Sequence, residues 1–105
     1  MIKVSILYPN KPGSRFDVDY YINTHMPMSI DRLGAAIKSV SVEVGLCGKE
    51  PQSEPNFTAM CHFVCESSEA FLGAFMPHAA ELQGDMPNYT DIEPIIQVSE
   101  ILISR

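Results

Sequence analysis

Ile2, Val4, Ile6 and Tyr8 alternate with Lys3, Ser5 and Leu7, which predicts a first strand with one strongly apolar face. The run Pro9-Asn-Lys-Pro-Gly13 ends it. From Phe16 the period lengthens: Val18, Tyr21, Ile22, His25, Met28, Ser29 and Leu33 fall on one side of a helical wheel, with Asp17 placed to cap the start and Gly34 to stop it. Pro27 lies inside this helix, where the missing N–H and the crowded carbonyl of Asn23 cost roughly 3 kcal/mol in regular geometry. A kink or restart is predicted there.

Residues 37–46 predict a second strand, with Val40, Val42 and Val44 on one face and Ser39, Ser41 and Glu43 on the other. A third strand over 57–65 sets Phe57, Ala59, Cys61, Phe63 and Cys65 against Thr58, Met60, His62 and Val64. Ser67 caps a second helix with the stripe Ala70, Phe71, Ala74 and Phe75, and Pro77 breaks it or starts a short new one over 77–82. Residues 84–91 predict loop and 95–103 a last strand. The order strand, helix, strand, strand, helix, strand is the split βαβ arrangement of a ferredoxin-like α+β fold, with an antiparallel four-stranded sheet and both helices on one face. Leu7, Met60, Val64 and Ile101 fall among the polar positions of the other face. That is too apolar for a free surface and predicts a homodimer packed through the sheet.

The length of 105 residues predicts one domain spanning 1–105. No run approaches the about 18 apolar residues of a membrane span. A formal charge of −6, with seven scattered basic residues, argues against nucleic-acid and acidic-membrane partners. The first residues lack the apolar core and cleavage site of a signal peptide, and Cys47, Cys61 and Cys65, all on segments read as strands or strand ends, cannot all pair within one chain. A cytoplasmic protein with reduced thiols is expected.

Phe16-Asp17, Tyr20-Tyr21 and Thr24-His25-Met26-Pro27 on the first helix, together with Asp85-Met-Pro-Asn-Tyr-Thr-Asp91 before the last strand, resemble the EthD family over the whole chain in element order. That resemblance implies a dimeric α/β barrel, in which two four-stranded sheets from two subunits close a barrel with the helices outside. The wider group includes cofactor-free monooxygenases of aromatic polyketides, a muconolactone isomerase, polyketide cyclases and stress-response proteins. The namesake family accompanies a cytochrome P450 system that degrades fuel ethers.

His25 falls mid-stripe on the apolar face of the first helix. A histidine in an apolar pocket suits general acid or base work on an enol or phenol, with Tyr21 one turn away and Tyr8 at the end of the first strand. The competing reading is a hydrogen-bonded core histidine, paired with the carbonyl that Pro27 leaves free. The catalytic candidates are therefore His25 and Tyr21, and the substrate-binding candidates Tyr8, Phe16, Phe63, Phe75, Tyr89 and His62. His62 shares the less apolar strand face with Met60 and Val64, where Glu43 and Gln97 can point; it reads either as a second acid/base group or as a structural hydrogen bond. Tyr20 reads as a packing or rim residue and His78 as a surface residue.

The histidines show no tight metal spacing, Cys61 and Cys65 read as small core residues, and no glycine-rich phosphate loop exists. Neither metal nor cofactor is expected. Three functions compete: a cofactor-free enzyme acting on a small aromatic, phenolic, polyketide-like or ether-derived compound in a degradative or secondary-metabolic pathway, a non-catalytic accessory or ligand-carrying dimer beside a P450-type system, and a purely structural dimerisation module. An enzyme should show His25 bordering an open cavity with a hydroxyl in reach; a structural histidine should be sealed and satisfied.

Overall fold

The computed structural model describes residues 1–105. Four strands, β1 (Ile2–Pro9), β2 (Ser39–Val44), β3 (Phe57–Cys65) and β4 (Ile95–Glu100), form one sheet in the order β2-β3-β1-β4. Every neighbouring pair is antiparallel. The helices fill the two crossovers: α1 (Val18–Tyr20) and α2 (Met26–Leu33) between β1 and β2, α3 (Ser68–Phe75) and α4 (Ala79–Gly84) between β3 and β4. This is the ferredoxin-like α+β arrangement expected from the order of patterns.

Register converts the sequence alternation into two faces. Val4 pairs with Phe63, Ile6 with Cys61 and Tyr8 with Ala59, so the apolar set of β1 meets that of β3 beneath the helices. Buried Tyr21, Met26 and Leu33 descend onto it from the helices, and Tyr89 and Ile92 from the segment before β4. Cys61 and Cys65 are fully buried here, the Cys61 sulfur 4.0 Å from that of Met26, as expected of small core residues. Cys47 is exposed beyond the end of β2 rather than within a strand.

Pro27 does more than kink the first helix. Asp17 caps α1 by accepting from the Tyr20 N–H at 3.1 Å, and the backbone then widens into a π-helical turn over Tyr21–His25, in which the Met26 N–H bonds the Tyr21 carbonyl five residues back. The wider turn ends where Pro27 has no donor to offer, and α2 starts with the proline in its first turn, where that donor is not required. One consequence is local geometry: the rings of Tyr21 and His25 stack at 5.6 Å with only 14° between their planes.

Three expected boundaries change. A 3-10 turn over Gly34–Ala36 delays β2 to Ser39, and β2 stops at Val44: Gly45 makes one last bond, its N–H to the Thr58 carbonyl at 2.9 Å, and Leu46 beyond it is exposed. The segment read as plain loop before β4 contains a 3-10 turn, Met86–Asn88, and a bridge between Phe16 and Thr90. The last strand ends at Glu100, with Leu102 and Ile103 each 84% exposed beyond it. On the helix side of the edge strand β4, Ile96 and Val98 are more than half exposed.

Candidate active site

The site is assembled from three segments that the fold brings to one end of the sheet. The π turn supplies His25, the end of β1 supplies Tyr8, and the segment before β4 supplies Asp85, Asn88 and Tyr89. The last of these is held in place by the chain around it: Arg15 donates from its backbone N–H to Asp91 at 2.8 Å and from its guanidinium to the Pro87 carbonyl at 2.7 Å, and Thr90 donates to the Arg15 carbonyl at 2.7 Å.

Asp85 is the hub. One carboxylate oxygen accepts from the Tyr20 hydroxyl at 2.7 Å and the Asn88 amide at 2.9 Å; the other lies 3.0 Å from His25 Nδ1. Burial raises the Asp85 pKa, but the donors Tyr20, Asn88 and His25 outweigh it and leave the carboxyl below its ordinary value of 3.8. An ionised carboxylate only accepts, so His25 must donate through Nδ1–H. In the neutral imidazole Nε2 then carries the lone pair. It has no hydrogen-bond partner in the chain, and it is not sealed: the one fully enclosed side-chain polar atom without a partner is Glu43 Oε1, elsewhere in the molecule.

His25 borders a cavity of about 330 Å³ between helices and sheet, whose wall is mainly apolar and includes Phe63, Phe71, Phe75, Leu82 and Met86. Tyr8 and Tyr89 also line it, their hydroxyls 2.7 Å apart, so one donates to the other and one O–H stays free to donate. Burial raises the pKa of both phenols and keeps them neutral donors. The Tyr89 ring lies 4.6 Å from the imidazole. His25 does not pair with a carbonyl freed by Pro27; its own carbonyl instead accepts from Ser29 Oγ at 3.0 Å.

Of the residues singled out in the sequence, His25, Tyr8, Phe63, Phe75 and Tyr89 converge on this cavity. Tyr21 does not line it. It is 2% exposed, stacked on His25 and packed against Tyr8 and Phe16, and burial pushes its phenol pKa up. Phe16 joins the same aromatic cluster and borders a separate polar groove. His62 lies on the opposite face of the sheet, where Nδ1 is 2.7 Å from Ser5 Oγ and Nε2 is 3.4 Å from Glu43 Oε1. That last contact is close enough for charge attraction but lacks the alignment of a hydrogen bond. His78 is partly exposed, 3.9 Å from Glu81. Each histidine thus faces a different carboxylate, and no three metal-ligating side chains gather at one point.

Two roles escaped sequence reasoning. Asp85 and Asn88 belong to the motif before the last strand, yet nothing local shows what they bind; Tyr20, read as a rim residue, spends its hydroxyl on Asp85. The shared signal was the joint presence of the two motifs, because the first holds the donors Tyr20 and His25 and the second the acceptor Asp85 with its local donor Asn88.

Residues 14–93 match the family model described as the EthD domain. Among curated proteins none matches the chain. The structure superposes on that of an EthD-like protein from Ralstonia eutropha JMP134 with a TM-score of 0.95 and 48% identity, covering 99% of this chain and 94% of the other. An EthD family protein from Bacillus halodurans C-125 matches at a TM-score of 0.67 and 17% identity, over 97% and 99% of the two chains. At3g17210 from Arabidopsis thaliana shares the fold at 0.69 and 14%, over 100% and 99%. With the domain matched over most of its length and a near relative matched end to end, the chain belongs to the EthD family.

Proposed function

We propose that this protein is a cofactor-independent acid/base enzyme that removes a proton from a small aromatic, phenolic or enolisable compound. The observation that carries this reading is the orientation of His25: Asp85 holds Nδ1, and Nε2 remains unpartnered beside an apolar cavity. Nε2 takes the proton, Asp85 stabilises the resulting imidazolium, and the free O–H of the Tyr8–Tyr89 pair donates to the enolate or phenolate oxygen as negative charge develops there. Isomerisation, cyclisation, dehydration, decarboxylation or attack on oxygen can all start from such an anion.

The assembly we infer is a homodimer through the open face of the sheet. Leu7 pairs in register with Met60 on one side and Ile95 on the other, which makes an apolar strip across β3, β1 and β4 where water would otherwise lie. The free thiols of Cys61 and Cys65, both buried, accord with a cytoplasmic setting. No helix is long and apolar enough to cross a membrane.

The test is hydrogen–deuterium exchange into a panel of phenols and enolisable diketones in deuterated water, followed by NMR. The wild-type protein should accelerate exchange at an acidic C–H of at least one compound, and His25→Ala should not. Saturable binding with no exchange by either protein would instead support the ligand-carrying accessory dimer, which the tight packing of Tyr89 over the imidazole also suits.

A further inference from the structure

The reading of the cavity as the working site leaves open which molecules enter it, and the charges around its mouth bear on that. Its inner end is polar through His25, Tyr8 and Tyr89; its rim carries Gln83 and Glu93, both exposed. No lysine or arginine lines it. The two arginines on adjoining segments are committed elsewhere, Arg15 to the Pro87 carbonyl and Arg32 to Glu81 at 2.9 Å and Asp31 at 2.7 Å. The carboxylate of Asp85 stands directly behind His25, and the chain as a whole carries a formal charge of −6. An anionic ligand would lose its hydration, meet no cation inside, and face like charge both at the rim and behind the imidazole.

Glu93 is placed by its neighbours rather than by chance. Ile92 before it is 4% exposed in the core, and its N–H bonds Thr90 Oγ1 at 3.0 Å. Pro94 after it restricts Glu93 to extended backbone. The residue is thereby placed at the entrance, lining the cavity beside Pro94 and Ile96 with its side chain exposed.

We infer that Glu93 is a specificity-determining residue, which selects ring compounds bearing a hydroxyl, amine or ammonium group at the end left at the cavity mouth and rejects carboxylates and phosphates. The ligand enters ring first and its oxygen reaches the His25 and Tyr8–Tyr89 end. Its donor group then pairs with Glu93. A volume of about 330 Å³ suits one substituted ring with a short arm.

Three phenols of nearly equal size test this: tyrosol, tyramine and para-hydroxyphenylacetate, which end in a hydroxyl, an ammonium and a carboxylate. Binding to the intact protein is followed by NMR on the His25 ring resonances. Tyrosol and tyramine should bind the wild type at least about tenfold more tightly than para-hydroxyphenylacetate. Glu93→Gln should narrow the gap between tyramine and the carboxylate, and Glu93→Lys should invert it, with tyrosol, whose neutral hydroxyl can donate to glutamate or accept from lysine, falling between the two. If the three bind alike and Glu93→Lys changes nothing while the His25 signals still respond, charge selection is wrong and the cavity reading stands. If none of the three moves the His25 signals, the cavity reading falls and this inference falls with it.

Discussion

Two histidine–carboxylate pairs stand on opposite faces of one sheet, and they are built to different standards. His25 on the covered face sees a carboxylate that accepts from three side chains, stacks on one tyrosine and touches another. His62 on the open face has a hydroxyl on one nitrogen and, on the other, a carboxylate oxygen that is enclosed yet has no aligned donor. Completing the hydrogen bonds of a carboxylate fixes its ionisation, and through it the tautomer and plane of the imidazole. The covered pair has that definition, and the open pair does not.

All four tyrosines of the chain belong to the covered side, so the sharpest way to break the comparison is alkali. Tyr8, Tyr20, Tyr21 and Tyr89 each have a pKa raised above 10.0 in the fold, by burial for Tyr8, Tyr21 and Tyr89 and by the hydrogen bond to Asp85 for Tyr20. A phenol whose folded pKa exceeds its unfolded value contributes stability that is fully present below the unfolded value and is lost as pH rises above it. The protein should therefore unfold cooperatively above pH 10, with tyrosinate absorbance appearing together with the loss of circular dichroism. Normal titration of the tyrosines within a folded protein would contradict the packing described.

Next in size is Asp85→Ala, which strands the Tyr20 hydroxyl and His25 Nδ1 and should cost about 2–3 kcal/mol in urea unfolding. It should also abolish any proton exchange that His25 catalyses. The acid limb sharpens this result. Because the folded pKa of Asp85 lies below 3.8, its contribution is present above that value and disappears as pH falls through the folded one; Asp85→Asn should flatten the acid side of the stability profile. An unchanged acid limb would mean that Asp85 is not the hub.

Tyr89→Phe removes one hydroxyl of the buried pair and should cost about 1–2 kcal/mol, with a larger effect on proton exchange than on ligand affinity if the pair stabilises developing negative charge. Smallest should be Ser5→Ala on the open face. It deletes the partner of His62 Nδ1 for about 1 kcal/mol and should leave exchange at the cavity intact. A loss of exchange there would place His62, rather than His25, in the chemistry.

Periodicity determined much of this protein, because the features it encodes are local. Alternation every second residue placed Val4, Cys61 and Phe63 on one face and Ser5, Met60 and His62 on the other before any pairing was known, and the element order then left few topologies open. Pro27 marked the break in the first helix, since a missing donor is a property of one residue. The same logic overran at residues 37–46 and 95–103, where apolar residues continue past the last sheet hydrogen bond. It could not tell a π turn from a kink, nor which of Tyr21 and Tyr89 lines the cavity.

Tertiary structure decided the site. His25 and Asp85 are 60 positions apart, and their meeting depends on where a 3-10 turn before β4 lands against a π turn after β1. That path is set by Arg15 bonding Thr90 and Asp91, 75 and 76 positions further along the chain, and no pattern within a single window of sequence records it. The same holds for Glu93, an ordinary charged residue before a proline until the fold sets it at the mouth of a cavity. A strand's face follows from a covalent alternation that each segment carries in itself, whereas a site is a coincidence of several segments, and only the packed core decides which side chains meet.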